Sequence, residues 1–86
     1  MQDNSNEAIL RQVQQLFKSA MGDNVEVNIA TEKDMIAEWD SVNHLNLVVE
    51  LENEFDLGLS MTEIENLHSV KHIIELINDK KQSGIK

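Results

Sequence analysis

The sequence predicts an all-α fold: a four-helix bundle with three longer helices, one short helix in third place, and a long loop between the first and second. Three observations carry this reading. Proline is absent and three glycines punctuate 86 residues, which suits helices joined by short turns. Apolar residues recur at three-and-four spacing in separate stretches. The one alternating run, Val25, Val27 and Ile29, has no second such run to pair with, so it reads as loop rather than strand. The length suits a single domain over residues 1–86, with a core of modest size and short polar tails at about 1–4 and 82–86.

The first helix begins after Asn4 or Ser5, where Asn4 and Glu7 have the spacing of a capping pair. Ile9, Leu10, Val13, Leu16, Phe17 and Ala20 form its buried stripe, and Gly22 ends it. Residues 22–40 form a long loop that packs Val25, Val27, Ile29, Met35 and Ile36 against helices, with a helical turn over 31–36. Trp39 is read as the anchor of that loop. A loop of this length in a compact chain is often functional. The second helix starts at Asp40-Ser41, with Asp40 as N-cap, and runs to about Phe55. A turn over 56–60 contains Gly58. Ser60 and Glu63 form a capping box that opens the short helix, with Met61, Ile64 and Leu67 inward. Ser69 caps the last helix, whose core face is Val70, Ile73, Ile74 and Ile77. Asn78-Asp79-Lys80-Lys81 then frays into the tail.

Charge is unevenly placed. The net charge is −9, and residues 22–66 carry twelve acids against one base, Lys33. Such an acidic middle argues against nucleic acid and anionic membrane surfaces as partners and suits basic proteins. There is no cysteine, hence no disulfide and no Cys-based metal site. No apolar run reaches membrane-spanning length, and Met1-Gln2-Asp3-Asn4 does not open a signal peptide, so the expected location is the cytoplasm.

The second helix has two apolar faces. At about 100° per residue, Leu47, Val48, Leu51 and Phe55 fall on one stripe, while Val42, Leu45 and Val49 lie roughly opposite. One stripe suffices to bury a surface helix. The other is expected to be exposed or half-exposed among Glu50, Glu52, Glu54 and Asp56, the pattern of a partner-binding surface. The competing expectation is that the loop or a neighbouring helix covers it.

The Asp40-Ser41-Val42 tripeptide, placed after a long loop at a helix N-terminus and followed by Leu45-x-Leu47-Val48-x-x-Leu51-Glu52-x-Glu54-Phe55, resembles the acyl carrier protein family. The resemblance extends over residues 7–81. It implies that Ser41 is esterified by the phosphate of 4'-phosphopantetheine, transferred from coenzyme A by a phosphopantetheinyl transferase, with Asp40 as the aspartate before it. It also implies that Val42, Leu45 and Val49, with Glu52 and Glu54, meet partner enzymes: acyl- or aminoacyl-loading ligases or synthases, and acyl-transferring enzymes with basic docking patches. The implied function is that of a monomeric, non-catalytic carrier of acyl thioesters, as in fatty acid or lipid biosynthesis. Glu38, Trp39, Val42, Asn46 and Asn53 depart from residues frequent in fatty-acid carriers, which leaves a specialised stand-alone carrier equally open. An aminoacyl carrier such as a D-alanyl carrier, or a carrier-like interaction subunit that needs no arm, are the alternatives.

Two sharper chemistries fit the sequence poorly. Ser41 with His44 one turn on could suggest a hydrolase, but a chain this small does not readily build an oxyanion hole and a pocket as well. His44 also falls over the core stripe, so it is expected to pack or cap. His68 and His72 have the spacing of a metal pair on a helix, but Ser69 as N-cap puts His68 outside it, so no metal is expected.

Overall fold

Helix formation follows the capping residues closely. A computed structural model of the chain describes the backbone of residues 4–83 and the side chains of residues 7–80. Its helices are α1 (Asn4–Met21), α2 (Ser41–Phe55), α3 (Met61–Glu65) and α4 (Val70–Ser83), with a 3-10 turn at Lys33–Met35 before α2. Among the described residues there is no strand, and the β pairing is an isolated antiparallel bridge between Glu32 and Ser69. The Asn4–Glu7 capping pair lies outside the described side chains; α1 is already helical at Asn4.

The α1 stripe is buried at Ile9, Val13, Leu16 and Phe17, with Leu10 and Ala20 packed at its margin. Gly22 ends the helix at φ 122°, where its N–H donates to Lys18 C=O at 2.9 Å. That backbone region strains any L side chain, so glycine is required there.

The loop over 22–40 is held by polar bonds. Gln14 Nε2 donates to Val27 C=O at 2.9 Å, and Lys18 Nζ donates to Asp23 C=O at 3.0 Å. Asn28 and Thr31 build a turn in which Asn28 N–H donates to Thr31 Oγ1 and Ala30 N–H to Asn28 Oδ1. Val70 N–H then donates to Thr31 C=O at 3.0 Å, and Lys33 N–H to His68 C=O at 2.7 Å. The loop is thus sewn to α1 at one end and to the start of α4 at the other. It buries Val25 and Val27, as the sequence predicts, but leaves Ile29 and Met35 exposed. The inward placement expected for those two fails because the Asn28 turn and the Lys33–Met35 turn rotate them to the outside.

Asp40 caps α2, its Oδ1 accepting from Asn43 N–H at 2.9 Å. Leu47, Val48 and Leu51 are buried beneath it and Phe55 is half-buried. Asp56 stops the helix in the left-handed conformation, φ 53°, and its N–H donates to Glu52 C=O. The Ser60–Glu63 capping box opens α3 as the sequence predicts. Met61 is a correction: it is exposed, since α3 is a five-residue helix that turns one narrow face inward, Ile64 half-buried on it and Leu67 buried just past its end. His72 N–H donates to Ser69 Oγ at 3.1 Å, the predicted cap of α4. Val70, Ile73, Ile74 and Ile77 are all buried. The helix does not fray at Asn78 but runs to Ser83, with Lys80 paired to Glu63 at 2.9 Å.

The core joins these faces with Trp39. Each fully buried aliphatic or aromatic side chain contributes about 1.5–3 kcal/mol of transfer free energy, largely offset by lost chain entropy.

Candidate functional site

Ser41 is the first residue of α2 and is exposed. Two bonds fix the approach to it. Asn43 Nδ2 donates to Glu38 C=O at 2.8 Å, and Asp40 N–H donates to the same carbonyl at 2.9 Å. With Asp40 occupied by Asn43 N–H and its carbonyl taken by His44 N–H at 2.7 Å, the amides of Ser41 and Val42 stand at the open end of the helix. The Ser41 hydroxyl therefore sits in the positive field of a helix N-terminus, the setting that favours a phosphate ester.

The second apolar face of α2 is open. Val42 is 69% exposed, Leu45 55% and Val49 55%, so neither the loop nor a neighbouring helix covers it. On the helical wheel Ser41, Leu45, Val49 and Glu52 share one edge of this face, with Val42 beside them. Glu54 lies on the other flank, toward α1, where it accepts from Gln12 Nε2 at 3.2 Å. Glu50 likewise accepts from Ser19 of α1 at 3.2 Å. Glu52 has a structural bond as well, since its Oε2 accepts from Leu59 N–H at 3.0 Å and ties down the turn after α2.

Next to Ser41 a cleft of about 470 Å³ opens between α2 and α3. Leu45, Met61, Ile64 and Leu67 give it apolar walls, Lys33, Asp34, Glu65 and His68 lie around it, and His44 also lines it. No sequence pattern marks this cleft, because its walls come from three separated segments.

His44 is nearly buried, at 9% exposure. Its Nδ1 accepts from Trp39 Nε1 at 2.8 Å and its Nε2 faces Ile64 C=O at 2.8 Å. This pattern places the proton on Nε2. Both nitrogens are engaged, so neither can take the Ser41 proton without giving up a buried bond. The Trp39 ring lies near-parallel to the imidazole at 6.1 Å and meets Phe17 edge-on at 4.8 Å. Trp39, 3% exposed, is the loop anchor that the sequence predicts.

His68 precedes α4, as its position before Ser69 implies. Among the described residues no group of three or more His, Cys, Asp or Glu side chains is placed to hold a metal ion, and no helix is long and apolar enough to cross a membrane.

Fold and site together define a small helical bundle with an exposed serine at the head of its second helix, the build of a carrier protein. Among solved structures the chain is similar to a holo acyl carrier protein from Geobacter metallireducens, determined by solution NMR, with a TM-score of 0.75 and 25% identity over 86% of each chain. No family model and no curated protein matches the sequence. The chain has the acyl carrier protein fold, and the likeness bears out the resemblance to that family read from the sequence. It supports a carrier role in general.

Proposed function

We propose that this chain is an acyl carrier whose cargo is held as a thioester on a 4'-phosphopantetheine arm joined through phosphate to Ser41 Oγ. The observation that carries the reading is the exposed Ser41 hydroxyl at the N-terminus of α2, in a fold shared with a protein described as holo. The arm supplies the thiol that a cysteine-free chain lacks. Ser41 provides the hydroxyl and loses its proton as the new phosphate ester forms, adenosine bisphosphate leaving from coenzyme A. The free amides of Ser41 and Val42 favour the negative phosphodiester, and Asp40 keeps the helix start in register.

The exposed strip of Val42, Leu45 and Val49, edged by Glu52 and flanked by Glu54, is the proposed docking face for the transferase and for acyl-loading and acyl-transferring enzymes with basic patches. Apolar contact gives such an interface its centre and the acids speed encounter. A tethered cargo then reaches each docked active site at raised effective concentration.

Transfer of acyl-phosphopantetheine from an acyl-coenzyme A onto the protein, followed by hydroxylamine, tests the carrier role. Release of the acyl group alone, with the arm retained, is the expected result. Loss of no mass, or an adduct that also forms on Ser41→Ala, contradicts it.

A further inference from the structure

Lys33 is the one base among twelve acids in residues 22–66, and it borders the same cleft as Ser41. It is in no ion pair among the described residues, although Asp34 and Glu65 lie around that cleft; the pair that does form joins Lys80 to Glu63. His68 borders the cleft as well, is exposed, and its imidazole makes no hydrogen bond among the described residues. The backbone fixes these two residues relative to each other. Lys33 N–H donates to His68 C=O at 2.7 Å, Glu32 bridges Ser69 beside it, and Val70 N–H donates to Thr31 C=O at 3.0 Å. An unpaired ammonium and a free imidazole are thus held together at the margin of a cleft that Ser41 also lines. His44, the other imidazole in the lining, has both nitrogens engaged.

A phosphate ester on Ser41 adds negative charge to a segment that is already strongly negative. Asp40 precedes it directly, and Asp34 and Glu65 lie around the cleft. A full positive charge nearby offsets that repulsion, and a ring N–H adds a directed bond to a phosphate oxygen. We infer that Lys33 and His68 form an anion-binding pair that takes the phosphate ester on Ser41. The inference rests on the reading of Ser41 as the attachment point and concerns the phosphate rather than the cargo. Its test needs neither coenzyme A nor a transferase.

Ser41→phosphoserine, introduced by amber suppression, puts a phosphate on the same oxygen. Its second ionisation, at about pH 6, is followed by the phosphorus-31 resonance, and a neighbouring cation lowers the midpoint by favouring the dianion. At low salt, adding Lys33→Gln is expected to raise the midpoint by about 0.3 pH unit or more, and Lys33→Arg to keep it near the value with lysine. His68→Ala is expected to raise it as well. Arg11→Gln is the control for charge alone. It removes one positive charge beside Gln12, whose side chain meets Glu54 near the far end of α2, and is expected to move the midpoint by less than about 0.1 unit. A rise in Lys33→Gln no larger than that in Arg11→Gln overturns the site. An unchanged midpoint in His68→Ala overturns the pairing of the two residues. The Lys33 and His68 side chains hold no other part of the described fold, so these variants are expected to fold. Failure of coenzyme A to modify Ser41 would count against the carrier reading and leave these outcomes as they stand.

Discussion

Trp39 donates its indole N–H to His44 Nδ1 at 2.8 Å, and through Nε2 the same imidazole reaches Ile64 C=O, so two side chains five residues apart join the loop, α2 and α3. Trp39→Phe keeps much of the ring but removes the donor, and His44→Leu keeps bulk but removes both bonds. Each is expected to cost about 1–3 kcal/mol, with the double variant costing less than the sum. Urea unfolding checks this through a lower midpoint at unchanged slope. Strict additivity would mean that the bond contributes nothing.

Asp40→Ala is expected to destabilise the protein by about 1 kcal/mol, because the Asn43 amide loses its cap, while Asp40→Asn should cost a few tenths. Thermal melts of the two variants compare them directly. Equal losses would point to the charge of Asp40 rather than its capping bond.

The acids on α2 separate into two kinds. Glu52→Lys is expected to lower stability by about 1–2 kcal/mol, since Leu59 N–H loses its acceptor in the turn after α2. Glu54→Lys should leave stability within about 0.5 kcal/mol while slowing modification by the transferase at low salt. Charge reversal at Glu52 is therefore a poor probe of docking by itself. An unchanged transferase rate for Glu54→Lys would remove it from the docking face.

The carboxyl of Glu63 is held below its ordinary value of 4.5, first by the Ser60 backbone N–H and next by its bond with Lys80. A lowered folded value means that stability is present in full above the ordinary value and is lost as pH falls through the folded one. Acid titration is expected to loosen the Ser60 cap and the α3–α4 pairing below about pH 4.5, and Glu63→Gln should flatten that part of the stability profile. Amide shifts of residues 60–64 followed against pH would show it; a profile identical in Glu63→Gln would contradict it.

Local chemistry made most of the fold legible in the sequence. Asp40, the Ser60–Glu63 box and Ser69 each act within three residues of a helix start, so their bonds follow from spacing alone. The two faces of α2 were readable for the same reason, since a fifteen-residue helix fixes the direction of every side chain. What escaped depends on distant partners. Ile29, Met35 and Met61 look like core residues by type, but each lies in or beside a turn too short to impose a periodic face. The wheel placed His44 over the core without naming Trp39 Nε1 and Ile64 C=O as its partners. A buried imidazole needs such partners, and that requirement was the available signal. The bond from Lys33 N–H to His68 C=O joins segments far apart in the chain and leaves no mark on either.

The claim that Ser41 is the attachment point is tested most directly by intact mass after incubation with coenzyme A and a phosphopantetheinyl transferase, on the native chain and on Ser41→Ala. A gain of one phosphopantetheine group on the native chain and none on Ser41→Ala is the predicted result. No gain on the native chain, or the same gain on Ser41→Ala, would contradict it.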